Sequence, residues 1–562
     1  MSSRSIQLQR VSELAAFAGA ISKTYSNTDV RDHFLYLVKH SAKLPCVVCL
    51  IVTAIVIAAP GVRLGVPGEW EWNRHELLES ASGIEKGNVS VSNVLLEIVD
   101  RFLPSLLVAA MLGWLCLKGS QWIDKVSRPK VAALYCGLLF VNWFWLGTIQ
   151  RTAPATHHAT KPLWVLYDQS SSGYFYEAVF HINSTGEFLR GYEQRMKEGE
   201  VLHVGTHPPG LFLLSRACLH ACESSPTLVS VVESLTAQNH REAFRVIESA
   251  AGSQTPLSHA AFAALQLLSL ITRLAVVLTT IPLVILTQVF FNRSTAWKVA
   301  CLWCTLPCLA IFLPKSDLLF PLTSTLVLSL MVLSTRGWRS VPWAVAGGVV
   351  LFCGLILSLA HLPVVVLVCL FAGTRAVQFR SRTLLLDSVS VGLMLATVGI
   401  LTLTFGWLTD CNLFQVWKLN LTNHEGFYSQ FSRTWWKWLL VNPLELAFSV
   451  GMPLAALAAV GGRNAIRTIL QQGNGATSVR PDAITFCVAA IATWGLLWLS
   501  GKNQGEAARL WCFLTPWLLI VAGSVLHNSI DEKLAPNRFR WLLFTQLVVC
   551  VITVSRVSGF SF

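Results

Sequence analysis

Four short stretches of the chain carry residue types suited to moving a proton and holding an anion. The first, Trp164 to Gly210 (WVLYDQSSSGYFYEAVFHINSTGEFLRGYEQRMKEGEVLHVGTHPPG), supplies Asp168, Glu177, His181, His203, His207, Tyr167, Tyr174 and Tyr176. The second, FLPKSD, sets Lys315 and Asp317 in a turn opened by Pro314. The third, NLTNHEGFYSQFSRTWWKW, holds His424, Glu425, Tyr428, Arg433 and a Trp cluster, and the fourth, GKNQGEAARLW, holds Lys502, Glu506 and Arg509. A carboxylate can take the proton of an acceptor hydroxyl as general base. Arg, Lys and His can neutralise a phosphate that departs with the bonding electrons.

Each group also has a plain structural reading. An acidic residue in a loop is usually just solvated. Tyr and Trp at a membrane boundary are most often anchors, which suits Trp435, Trp436 and Trp438. Glu506 and Arg509 stand at i and i+3, the spacing of a local helix-surface ion pair. Lys315 and Asp317 would serve equally well to hold a turn. GKNQG lacks the order of a phosphate-binding loop, which argues against nucleotide hydrolysis. The combination says more than its parts, because all four stretches fall within a few residues of long apolar runs. Ionisable groups that close to hydrocarbon are costly unless they pair or line a cavity.

The elements that must position them are membrane helices. Of 562 residues, 53% are hydrophobic and only 13% charged, with 21 Trp and 29 Phe, and the mean hydropathy is +0.55. Runs of about 17–25 apolar residues are long enough to cross a bilayer as helices. They recur at 45–60, 101–117, 131–148, 259–290, 297–313, 317–335, a pair across 341–373 broken near His361, 383–408, 444–460, 483–500, 508–526 and 539–556. The expected fold is an all-α, polytopic transmembrane helical bundle of about 11–14 spans. The net charge of +13 is spread over short loops, which points to positive-inside topology and away from nucleic acid. Loops 118–130, 292–298, 336–339, 374–382, 461–467 and 531–540 then lie inside, and 61–100, 149–258, 312–317, 409–440 and 501–509 outside. The polar start of the chain has no cleavable signal peptide, and Ile6–Ile21 suits a surface helix. Cys46 and Cys49, and Cys301, Cys304 and Cys308, stand inside apolar runs, where cysteine acts as a small hydrophobe. One conflict remains: with 149–206 and 222–258 both outside, 208–222 cannot cross once. It is re-entrant, or pairs with a second short crossing, or Arg273 divides 259–290.

The order of YDQSSSGYFYEA and THPPGLFLL, with FLPKSD and GEAARLW later, resembles the integral-membrane glycosyltransferases of the GT-C superfamily. The relevant members use polyprenyl-phosphate sugars and are of the mannosyltransferase and arabinosyltransferase type. They carry an acidic residue early in the first large extracytoplasmic loop and an HPP or KPP element further on. The resemblance covers most of the chain from Trp164 onward. It departs from the family's acidic pair, since Gln169 follows Asp168, and an extra early span and the polar insertion 221–258 are unusual.

The resemblance implies an enzyme that transfers a sugar, with inversion, from a lipid-linked donor to a lipid, glycan or protein acceptor. Asp168 or Glu177 would be the base; His203, His207, Lys315, Asp317, Lys502, Glu506 and Arg509 would bind donor phosphate or substrate. Tyr174, Tyr176, His424 and Glu425 are weaker candidates for acceptor or sugar contacts. The resemblance fixes no cofactor; Asp168, Glu177 and Asp317 could share Mg or Mn through water, although no spacing demands it. The expected location is a bacterial plasma membrane, with the active face extracytoplasmic. The organisation reads as a cytoplasmic segment 1–44, first spans 45–148, a catalytic loop region 149–258 and a bundle 259–562. The competing class is a transporter or lipid flippase, which would favour internal repeats and charges at mid-membrane.

Overall fold

The computed structural model describes residues 43–58, 91–153, 165–168, 172–201, 205–236, 238, 240–242, 244–245, 257–378, 383–471, 479–527 and 535–557. The expected surface helix at 6–21 and His203 lie outside them. The protein is an all-α, polytopic helical bundle. Apolar runs fold as helices because only a helix satisfies its own backbone N–H and C=O groups without water.

Among the described residues, eight helices are long and apolar enough to cross a membrane. They are Arg128–Gln150, His259–Phe290, Ser316–Ser334, Trp338–Leu357, Leu359–Gln378, Leu384–Thr409, Pro481–Leu499 and Asn537–Arg556; a bent pair, Trp435–Val450 with Met452–Leu470, makes nine. The larger number expected from sequence counts apolar runs that fold as shorter or broken helices. Lys43–Ile57 and Cys512–His527 are shorter, and the 297–313 run divides into Arg293–Trp303 and Pro307–Ile311. Pro342–Leu357 and Leu362–Gln378 are separated by a tight turn at Leu359–His361, as the sequence placed it. There His361 is buried, with Nε2 2.7 Å from Thr323 Oγ1.

The run 444–460 is not a straight span. The helix breaks at Gly451, where φ is +92°, and the two halves meet at 116°. Gln546 fills the space a side chain at position 451 would need. Its Nε2 donates to the Val450 carbonyl at 2.6 Å, so the bend's freed acceptor is satisfied inside the bundle.

Gly210–Ser224 packs antiparallel against the first half of His259–Leu278. Leu211, Leu214 and Ser215 share a small cavity with Leu268 and Thr272, while Cys218 and Cys222 pack with Ala261, Ala264 and Leu265. The segment 259–290 is 32 residues long, about 48 Å of helix against a hydrocarbon core of about 30 Å. Its first exposed large apolar residue is Leu274, followed by Ile281 and Ile285, whereas the exposed side chain at its start is His259. The exposed positions of Gly210–Ser224 are Ala217, His220, Glu223 and Ser224. Arg273 does not divide the long helix. It donates to the Trp143 carbonyl and stacks over the Trp143 ring at 4.3 Å; the break comes later, at Thr279.

The bundle has two chemically distinct ends. At one, Arg336 and Arg480 donate to the Val289 carbonyl at 2.7 and 3.0 Å, and buried Arg375 sits between Asp387 (3.2 Å) and Asp482 (3.3 Å). At the other, Gln150 donates to the carbonyls of Ala310 (3.2 Å) and Leu313 (2.9 Å), fixing the FLPKSD turn to the end of Arg128–Gln150.

Candidate active site

Asp168 ends a buried helical turn, Val165–Tyr167. Tyr167 packs edge-on against Tyr176 (6.3 Å between ring centres) and Phe244 (5.7 Å). Ser172 closes the loop behind it, donating from Oγ to the Val165 carbonyl (2.9 Å) and from its amide to the Asp168 carbonyl (3.3 Å). Gly173, at φ +69°, then starts the short helix Tyr174–Phe180, in the stretch where the sequence suggests one. Tyr174 is buried and meets the His207 ring edge-on at 5.3 Å. Burial pushes its phenol well above the usual tyrosine range; the Asp317 charge adds to the shift and Arg509 opposes it. Tyr176 packs on Phe180 and His181 instead.

Glu177, on the same helix, points into the protein. It is paired with Arg195, and its other oxygen is 3.1 Å from His181 Nδ1. Both of its oxygens are thus engaged by side chains of the protein. Its evident work is to hold Tyr192–Lys197 beneath Tyr174–Phe180.

The THPPG stretch is pinned from three sides. Tyr192 Oη donates to the His207 carbonyl at 2.7 Å, and the Gly205 amide donates to Glu200 Oε2 at 2.7 Å. Asn423 Nδ2, from the Leu413–Gln430 helix, donates to the carbonyls of Met196 (2.8 Å) and Gly205 (2.7 Å). His207 Nδ1 lies 3.2 Å from Thr206 Oγ1. A Cβ on Gly210 would stand 2.6 Å from the Ile356 carbonyl, so glycine is what lets this turn touch the end of Pro342–Leu357.

The remaining stretches join it through charge. Arg509, nearly buried, donates from Nη2 to Glu506 Oε2 at 2.8 Å, and its Nε lies 3.8 Å from Asp317 Oδ2. Glu506 Oε1 accepts from Arg433 Nη2 at 2.9 Å. Burial disfavours the Glu506 carboxylate, yet Arg509, Arg433 and Lys315 together hold its pKa below the ordinary value. Lys315 is buried in the turn before Asp317. His424 is kept neutral chiefly by burial and by the Lys502 charge, with Glu506 opposing.

The loop that carries Lys502 and Glu506 passes through three left-handed residues, Gly501 (φ +68°), Asn503 (+64°) and Gly505 (+78°). Side chains from the preceding hairpin bind its backbone. Tyr428 Oη accepts from the amides of Asn503 (2.9 Å) and Gln504 (3.4 Å). Asn442 Oδ1 accepts from Gly505 (3.1 Å), and buried Glu445 accepts from Ala508 (2.9 Å).

The structure thus brings together Tyr174, His207, Lys315, Asp317, His424, Lys502, Glu506 and Arg509 of the residues singled out in the sequence. Asp168 stands on the segment leading into Tyr174, Tyr176 is turned aside, and Glu425 is exposed. Arg195, Asn423, Asn442 and Glu445 were not singled out. Glu445 at least leaves a signal, since an acidic residue within an apolar run is costly without a partner. The three carboxylates conceived as sharing a divalent ion do not fit one, because Glu177 and Asp317 face guanidinium groups. Among the described residues no three His, Cys, Asp or Glu side chains converge as a metal site.

The chain matches no protein-family model and no curated protein sequence. Among solved structures it is similar to two crystal structures of an oligosaccharyltransferase from Archaeoglobus fulgidus. One is a complex with Zn and sulfate: 13% identity, TM-score 0.39, covering 72% of this chain and 53% of that one. The other is tethered by a disulfide to an acceptor peptide containing the NVT sequon: 12% identity, TM-score 0.38, covering 71% and 55%. The match spans little more than half of that protein's length. So coarse a likeness carries no functional conclusion.

Proposed function

We propose that this protein is an integral-membrane glycosyltransferase of the GT-C type. It transfers a sugar from a polyprenyl-phosphate-linked donor to a hydroxyl of a lipid, glycan or protein acceptor at the extracytoplasmic face. One observation carries the reading: cations and carboxylates from separate segments form a chain of contacts at one end of the bundle. That chain runs from Arg433 through Glu506 and Arg509 to Asp317. The Lys/Arg-rich loops with Arg336, Arg375 and Arg480 lie at the other end, and the positive-inside rule supports reading the site's end as the outer one.

In this reaction Asp168 accepts the proton of the acceptor hydroxyl, and the freed oxygen attacks the anomeric carbon from the face opposite the phosphate. The carbon–oxygen bond to phosphate breaks, its electrons pass to the phosphate, and the configuration inverts. Lys315, Arg509, Lys502 and His207 stabilise the developing charge. Asp168 is favoured over Glu177 because the latter is committed to Arg195.

The test is sugar transfer in membranes supplied with labelled lipid-phosphate sugars. Asp168→Asn should lower turnover by about 100-fold or more, while Glu177→Gln should retain it per folded molecule. Full activity in Asp168→Asn sinks the assignment of the base. Gradient-dependent uptake into vesicles, with no transfer by the wild type, sinks the class in favour of a transporter.

A further inference from the structure

Glu506 is held in an unusual way for a simple surface ion pair. One of its oxygens meets Arg433 at 2.9 Å and the other meets Arg509 at 2.8 Å, with the three side chains only 15%, 12% and 10% exposed. Arg433 reaches the same point from a different segment and is anchored by a second bond to the Gln504 carbonyl. Its guanidinium also lies 5.1 Å from the Phe427 ring centre, which limits its freedom further. Arg433, Arg509 and the neighbouring Lys315 face two carboxylates, Glu506 and Asp317, which leaves the cluster with one excess positive charge. Lys315 acts on the same carboxylate. A phosphate bridges two guanidiniums in the same manner, one oxygen to each, with more oxygens and more charge. Removing Glu506 with no anion in its place would cost each of these nearly buried guanidinium groups a carboxylate contact, which is unfavourable.

We propose that Glu506 is a resident counter-anion: it occupies an anion-binding position between Arg433 and Arg509 and yields it when a phosphate binds. This rests on the reading of the site's cations as a phosphate cradle, and it adds Arg433 to them. Asp317 is not the competing group, since it stands 3.8 Å from Arg509 Nε and touches one arginine only. The consequence is opposite to that of a purely structural carboxylate. Removing a structural brace weakens whatever the arginines bind, whereas removing a competitor strengthens it.

The full-length protein in detergent is titrated at constant ionic strength with two probes, farnesyl phosphate and inorganic phosphate. Glu506→Gln should bind both about tenfold more tightly than the wild type, since one charge-assisted contact no longer has to be given up. Arg433→Gln should bind both more weakly. Glu506→Asp, too short to bridge both arginines, should fall between wild type and Glu506→Gln, and it carries the test if the glutamine variant does not fold. Unchanged or weaker binding of both probes by the Glu506 variants overturns the inference while leaving the lipid-phosphate reading standing if farnesyl phosphate binds the wild type. The expected pattern with inorganic phosphate alone upholds the counter-anion and overturns the lipid-phosphate donor.

Discussion

At the scale of single residues, the two carboxylates of the first polar stretch have separate fates. Asp168 and Glu177 carry the same functional group nine positions apart, yet one is half-buried at the end of a buried turn and the other is buried against Arg195. Glu177→Gln should therefore cost stability before it costs chemistry, by about 3 kcal/mol, because it leaves a guanidinium without its partner. Thermal or denaturant unfolding of the purified variant measures this; an unchanged midpoint would show the pair to be dispensable. His424 offers a second residue-scale prediction. Its pKa is lowered by burial and by Lys502, so the folded state favours the neutral ring. The stability it contributes is fully present above the unfolded value, about 6.5, and is lost as pH falls through the lowered folded value. Stability should decline as pH drops from about 6.5 to the lowered folded value and level off below it, and His424→Gln should flatten that decline in unfolding measured against pH. An identical pH profile in the variant would refute the assignment.

At the scale of elements, Leu413–Gln430 works as a strap across the site. Near its start Asn412 accepts no such role alone, but its amide donates to Glu193 Oε1 at 2.9 Å; further along, Asn423 holds Met196 and Gly205. Near its end, Tyr428 holds the loop of Lys502. One helix thus sets the spacing between the His207 turn and the Glu506 loop. Tyr428→Phe keeps the ring and deletes the acceptor of two amides, which should lower stability by about 1–2 kcal/mol and weaken the apparent affinity for donor several-fold. Ser429→Ala, on the exposed face, should change neither. Equal behaviour of the two variants in unfolding and in donor titration would exclude the strap's role.

At the scale of the whole molecule, the placement of 210–272 relative to the bilayer is the point most open to direct measurement. With the exposed native thiols Cys136, Cys353 and Cys369 replaced, His220→Cys should react with a membrane-impermeant maleimide added on the site side. Leu274→Cys, at the first lipid-facing position, should be protected. Protection at position 220 would mean that Gly210–Ser224 is re-entrant after all.

The amino-acid sequence alone determined the class of fold, because long uncharged runs leave only helices as a way through a bilayer. It also determined that polar chemistry gathers beside the span ends, since Lys315, Glu506 and Arg509 stand within a few residues of apolar runs. Only the tertiary structure decided which of these groups meet. Arg433 and Arg509 are 76 positions apart and share one carboxylate, a distance in sequence that no local spacing encodes. The bend at Gly451 depends on Gln546 from a distant helix, and the seat of Gly210–Ser224 depends on His259–Leu278, against which it packs. Hydrophobic pattern is a local property that follows helix period and bilayer thickness. Partnership among buried charges is a property of packing, settled only when the helices that carry them are assembled.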